Sequence, residues 1–248
     1  MRKWLHVTAW IFCCAVFLTG VFQLLNYYTK SKHNEHETER LSAQTWQSKD
    51  PTVQMLEQPP MTPLEKYGEL FSQNNDMIGW LYIEGTPIDY PVMQTPDNPD
   101  FYLKRNFNRE YSDYGTLYTT EKCSINPPSD NILIHGHHMK DGQMFGSLEK
   151  YKAEFYYKEH PTIQFDTLES FGEYRIIAVF RSVPYRFPYY DFINAQNSEE
   201  FDAFVKECQS FSFYDTGETA RYGDKLLTLS TCEYSEEDSR LVIVAKRV

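Results

Sequence analysis

The chain has 248 residues, enough for one domain with a sizeable core plus appendages. A formal net charge of −11 argues against nucleic acid as a partner and against attachment to a membrane through a basic patch. Aromatic residues make up 16%, with 19 Tyr and 17 Phe, a composition that favours strands and grooves over a helical bundle.

From Trp4 to Thr29 there is no Asp, Glu, Lys or Arg. A helix of that length, rising about 1.5 Å per residue, outreaches a hydrocarbon core of roughly 30 Å. Residues 1–29 are therefore expected to be a single-pass, uncleaved membrane anchor. A cleaved signal peptide would have a shorter apolar run and a small-residue cleavage site at its end. Arg2 and Lys3 on one side face Lys30 and Lys32 on the other, so the positive-inside rule barely decides orientation. The size of the chain beyond residue 29, and the chemistry of its cysteines, place the N-terminus inside and the remainder outside the cell.

Residues 30–63 are polar and end in Pro59-Pro60-Met61-Thr62-Pro63, which reads as an extracellular linker unable to bury enough apolar surface to fold alone. The catalytic or binding domain is then 64–248. Leu64, Tyr67, Leu70 and Phe71 recur at helical spacing after Pro63 and predict a short helix. Strand patterns come next at 78–83, 88–93, 115–120, 131–137, 162–166 and 173–183, separated by turn chemistry such as Glu84-Gly85-Thr86-Pro87 and Asn126-Pro127-Pro128-Ser129-Asp130. Two further strands at the C-terminus bring the number to about eight, the pattern of a closed barrel. Peripheral helices are expected at 144–151 and at 198–210. The second has Asn197 as its cap and Phe201, Phe204, Val205 and Cys208 as its apolar stripe.

Of five cysteines, Cys13 and Cys14 lie in the anchor. The odd number left, Cys123, Cys208 and Cys232, argues against a dense disulfide framework; a Cys123–Cys208 bridge stays open. Cys232 ends the alternating run Leu227-Thr228-Leu229-Ser230-Thr231, at a strand end beside hydroxyls. After the acidic turn 235–239, a strand opening on Arg240 would return beside it. Taken alone, Cys232 could equally be a buried small hydrophobe.

The stretch Asn131-Ile132-Leu133-Ile134-His135-Gly136-His137-His138 runs an apolar strand into three histidines, with His135 and His137 on one face and His138 on the other. His-x-His is a familiar metal pair, but no third or fourth ligand accompanies it, and no metal is expected. An imidazole beside a thiol can favour the thiolate and later protonate a leaving amine. Arginine stays protonated and so suits the developing oxyanion.

Three motifs in this order make the sequence resemble a sortase of class B. Thr228-Leu229-Ser230-Thr231-Cys232 matches the family's TLxTC signature, and Arg240 opens a Val/Ile-rich last strand. His135-Gly136-His137-His138-Met139-Lys140-Asp141-Gly142 matches a segment usually written Y-G-H-N-M-K-D-G. The chain departs from that pattern at His135, where Tyr is usual, and at His138, where Asn is usual; neither position is chemical in the family. The resemblance implies a mainly β protein: a closed eight-stranded sortase-type barrel with peripheral helices, behind an N-terminal transmembrane helix. It implies a cysteine transpeptidase with His137, Cys232 and Arg240 as catalytic residues and Ser230, Thr231 and Glu233 as substrate-binding residues. No cofactor is expected. The implied substrates are secreted proteins bearing a C-terminal sorting signal of the NPxTN or (S/N)PxTG kind, cut after Thr and passed to a peptidoglycan cross-bridge amine. Two alternatives remain at this point: a pilin-polymerising sortase with a Lys acceptor, and a non-enzymatic surface-anchored binding domain. A papain-like protease is disfavoured, since its cysteine precedes its histidine.

Overall fold

The computed structural model describes residues 2–46, 61–182, 186–232 and 239–248. The chain divides into two units, Met1–Arg40 and Leu41–Val248. The first unit is the greater part of one helix, α1, Arg2–Trp46. Trp10, Phe12, Phe17, Leu18, Phe22 and Leu24 stand exposed around it, and a stretch within Trp10–Trp46 is long and apolar enough to cross a membrane.

The expectation of an unfolded linker from residue 30 does not hold as far as Trp46, because α1 simply continues. Extending an existing helix requires no new nucleus, so a polar composition that could not start a helix can prolong one. The last turns also find surface to cover: Leu41 and Thr45 are buried in the second unit. There Ser42 Oγ donates to Asp89 Oδ2 (2.5 Å) and Trp46 Nε1 to the same oxygen (3.2 Å). Trp80 Nε1 donates to Asp89 Oδ1 (2.5 Å). The Trp46 ring also packs edge-on to Tyr82 and lies 5.0 Å from the Lys66 ammonium.

The second unit begins its main fold with α2, Pro63–Gln73, closed by a reciprocal capping box in which Thr62 and Glu65 exchange side-chain and backbone bonds. Eight strands then form a closed barrel: β1 Met77–Tyr82, β2 Asp89–Met93, β3 Leu117–Thr119, β4 Asn131–His135, β5 Thr162–Thr167, β6 Glu173–Ser182, β7 Leu226–Cys232 and β8 Arg240–Arg247. The order around it is β1-β2-β3-β4-β7-β8-β6-β5, with β2·β3 and β4·β7 parallel and the other pairs antiparallel. This is the predicted barrel, with strand ends shifted by a residue or two.

Alternation along the strands builds two layers. Ile132 and Ile134 of β4, Leu227 and Leu229 of β7, and Leu241 and Ile243 of β8 belong to the core that also holds Leu81, Val92 and Phe165. Their neighbours Leu133, Leu226, Val242 and Val244 face a second cluster made with Phe201, Phe204, Val205 and Cys208 of α4, Ser198–Phe211. Asn197 caps α4 as expected, accepting from Glu200 N at 2.9 Å. β7 is thus buried on both faces, whereas Thr228 and Ser230 in the sequence suggest one polar face. Each hydroxyl is paired: Thr228 Oγ1 donates to Asn131 Oδ1 (2.8 Å), and Ser230 Oγ meets Tyr189 OH (2.7 Å).

The helix expected at 144–151 is a 3-10 turn over Gly146–Lys152. Met144 lies at φ 52, outside the helical region, and a Cβ on Gly146 would come within 2.2 Å of Met139 O, so the chain cannot coil until it has passed both. A short helix α3, Glu154–Glu159, was not predicted; its exposed and buried positions give too brief a pattern. Cys123 and Cys208 are both buried and both free.

Replacing Asp89 with Ala strands the indole N–H of Trp80, which is 1% exposed. We expect a loss of about 1–3 kcal/mol, read as a lower midpoint in thermal unfolding. An unchanged midpoint would mean that the Asp89 contacts contribute nothing net.

Candidate active site

The groove is assembled where β4, β7 and β8 run out. β4 pairs with β7 as far as His135↔Ser230, and one more bond, Gly136 N to Ser230 O (3.2 Å), carries the chain past the ladder. Position 136 must be glycine because a Cβ there would meet the Leu117 side chain at 2.5 Å and the Phe145 ring at 2.7 Å. Strand alternation therefore stops at His135, two residues earlier than predicted, and loop geometry sets the directions of His137 and His138.

On the other side of β7, Cys232 is the cross-strand partner of Arg240. By the alternation along β7 and β8, both belong to the face of Leu226, Ser230, Val242 and Val244 rather than to the barrel interior. The half-buried Cys232 thiol, Arg240, His135, His137, Ser230 and Thr231 line one cavity of about 640 Å³, with Leu103, Tyr118 and Tyr189. The predicted residues are thus brought together, except for Glu233, which lies outside the described residues along with the turn at 233–238. The Thr231 hydroxyl is buried without a hydrogen-bond partner among the described residues. Arg240 Nη1 donates to the carbonyl of Ser239 (3.1 Å). Among the described residues no cluster of His, Cys, Asp and Glu side chains is arranged to hold a metal.

The three histidines have three environments. His137 Nε2 lies 2.7 Å from Leu103 O. Its imidazole is held below the usual range chiefly by burial, with the Leu103 carbonyl opposing and Lys104 reinforcing, so it is neutral at pH 7. His138 turns away from the cavity, and its Nδ1 donates to the backbone carbonyl of Cys232 at 2.8 Å. His135 packs 5.5 Å from the Tyr118 ring, and burial pushes it down to about 4, opposed by Asp100 and reinforced by Arg240. Tyr189 is pushed up to about 12, chiefly by burial, and stays a neutral hydroxyl over Ser230.

Residues 81–248 match the Sortase domain family. The chain is 28% identical to a sortase B from Staphylococcus aureus over 99% of its own length and 97% of that relative. It is 32% identical to a sortase B from Listeria monocytogenes over 73% of each chain. The chain belongs to the sortase family, in class B. Its structure overlays that of a B. anthracis sortase B in complex with AAEK1 at a TM-score of 0.76, with 29% identity, covering 89% of this chain and 99% of the other. A Staphylococcus aureus sortase B-substrate complex superposes at 0.78, with 26% identity, over 89% and 98%. This sortase is therefore a cysteine transpeptidase with the family's closed barrel, and the reading as a non-enzymatic binding domain falls away.

Two contacts escaped the sequence. The Leu103 carbonyl is a backbone atom, and nothing in the residue type announces it. The Tyr189–Ser230 bond joins positions 41 residues apart; only the tandem Tyr189-Tyr190 after a proline hinted at an aromatic wall.

The histidines that flank His137 can each be tested. His138→Ala should lower kcat by roughly 2- to 10-fold, the value of one hydrogen bond to the backbone of Cys232. His138→Asn, whose amide can also donate, should restore it, and equal losses in both would rule out that role. His135 binds its proton at about 4 when folded and near 6.5 when unfolded. The unfolded state protonates first, so stability should be full above about 6.5 and fall toward pH 4 by up to roughly 3 kcal/mol. Urea midpoints of His135→Tyr should decline less over that window; parallel curves would refute the assignment.

Proposed function

We propose that this sortase is anchored by α1 with its barrel outside the cell, cuts a C-terminal sorting signal after Thr, and transfers the acyl group to a peptidoglycan cross-bridge amine. The observation that carries the reading is the pairing of Cys232 with Arg240 across β7 and β8, at a cavity that His137 also lines. In the proposed reaction the sulfur attacks the Thr carbonyl carbon while His137 takes the thiol proton. Arg240 holds the oxygen as it becomes negative, where a fixed cation beside a partly desolvated site acts most strongly. Collapse breaks the C–N bond, His137 returns the proton to the leaving amine, and a thioester on Cys232 remains. The acceptor amine then repeats the sequence in reverse, releasing the thiol.

Supporting the substrate and acceptor classes, one related sortase B is described in a substrate complex and another complexed with triglycine, a molecule with a free amine. A signal of the NPxTN or (S/N)PxTG type follows from the class B resemblance, and the groove walls of Ser230, Thr231 and Tyr189 offer hydroxyls to such a peptide. The side chains of α1 support the anchor: Trp10, Ile11, Phe12, Phe17, Leu18 and Phe22 are all exposed, which is costly in water and favourable in lipid.

Incubation with a small library of sorting peptides should yield a thioacyl adduct on Cys232, detected by mass spectrometry. Cys232→Ala should abolish cleavage, His137→Ala should cost about 10²–10⁴ in kcat, and Arg240→Ala about 10²–10³. Cleavage by Cys232→Ala at the wild-type rate would end the proposal.

A further inference from the structure

The reading of His137 as the proton carrier leaves open which ring nitrogen does the work and what aims it. We propose that the backbone carbonyl of Leu103 fixes the tautomer of His137, making Nδ1 the working nitrogen, and that a buried clamp beneath residues 101–104 holds that carbonyl in place. This inference rests on the proposed role of His137.

A carbonyl oxygen only accepts, so at 2.7 Å from Leu103 O the Nε2 of His137 must carry the hydrogen in either charge state. In the neutral ring the lone pair is then on Nδ1, which has no hydrogen-bond partner among the described residues. The thiol proton passes to Nδ1 as the S–C bond forms, and from Nδ1 to the amine nitrogen as the C–N bond breaks. Nε2–H stays on Leu103 throughout. The carbonyl thus does what an orienting carboxylate does for other catalytic histidines, without adding a charge.

Leu103 lies in the 3-10 turn Phe101–Lys104, which is pinned from below and from the side. Tyr102 is fully buried; its hydroxyl donates to Asp76 Oδ2 (2.7 Å) and accepts from Asn74 Nδ2 (2.7 Å). Arg109 Nε donates to the same Asp76 oxygen (3.0 Å), and Asn74 Nδ2 also reaches Phe107 O (2.6 Å). The carbonyls on either side of Leu103 are held by Thr116 N and Ser112 N, each at 3.0 Å. Against this turn lies Gly115 at φ 61, where a Cβ would come within 2.6 Å of Leu103 O and 2.7 Å of Tyr102 O. The Leu103 carbonyl keeps its position only because residue 115 has no side chain. Leu103, Tyr102 and Gly115 are positioning residues.

Two-bond ¹H–¹⁵N spectra of histidine-labelled enzyme above neutral pH, with His137→Ala to assign the signal, should show His137 as the Nε2–H tautomer. Gly115→Ala should mix the tautomers and lower kcat on the order of 10- to 100-fold, with KM nearly unchanged, as expected for a displaced catalytic group. Gly217→Ala is the control: φ is 72 there too, but nothing lies within 4 Å of the added carbon, so it carries the backbone strain without the collision. It should keep both the tautomer and kcat. If Gly115→Ala does not fold, Tyr102→Phe, which cuts the clamp at its hydroxyl, should give the same tautomer mixing and the same loss confined to kcat. An Nδ1–H tautomer in the wild type would overturn the proposal. So would folded Gly115→Ala or Tyr102→Phe enzyme with unchanged spectrum and kcat, or a Gly217→Ala loss as large as that of Gly115→Ala. The spectrum reports the tautomer whether or not the ring is catalytic, so full activity in His137→Ala would defeat the role of His137 separately.

Discussion

The groove depends on the register of β7 between β4 and β8. Ser230 is opposite His135 on one side and Val242 on the other, and Cys232 is opposite Arg240. Because side chains alternate, a slip of one residue on either side would send the sulfur into the barrel interior and the guanidinium with it. What prevents the slip is burial on both faces of the strand. Leu227 and Leu229 fill the barrel, while Leu226 and Thr228 are covered from outside, so no alternative register places apolar groups in both layers. Helix α4 therefore has a functional consequence although none of its residues lines the cavity: by covering Leu226, Val242 and Val244 it makes the register of the two strands a property of the core.

The same two-sided burial explains what could be read in the sequence. Strands with strong apolar patterns, such as Ile132-Leu133-Ile134 and Leu241-Val242-Ile243-Val244, declare themselves, and the closed order of eight follows from them. The meeting of Cys232 with Arg240 was legible as a hairpin because the two strands are joined by a short acidic turn. His137 was legible only through the family segment around it. Strand alternation would have aimed it correctly for the wrong reason, since the ladder ends at His135 and Gly136 swings the chain over Leu117 and Phe145.

Elements whose stability comes from elsewhere in the molecule were hidden. The polar segment after Lys30 is helical to Trp46 because Asp89, Lys66 and Tyr82 wait for its last turn, and no local property of 41–46 encodes those partners. The Leu103 carbonyl is hidden more deeply still. Its position depends on Asn74, Asp76, Tyr102, Arg109 and Gly115, scattered over four segments, and each reads alone as an ordinary turn or surface residue.

Both histidines next to the nucleophile are hydrogen-bonded to backbone carbonyls and not to carboxylates. The choice has an electrostatic consequence. A carboxylate behind His137 would favour imidazolium and pull the pair toward a resting thiolate–imidazolium ion pair. A carbonyl offers a dipole but no net charge, and at His137 burial outweighs it, so the ring rests neutral. A neutral imidazole can accept the thiol proton only as sulfur meets the substrate carbonyl, and the imidazolium so formed lasts only until the amine departs. The charge then exists in the interval when Arg240 is needed for the oxyanion, and a neutral resting ring spares the groove a second permanent cation beside the guanidinium.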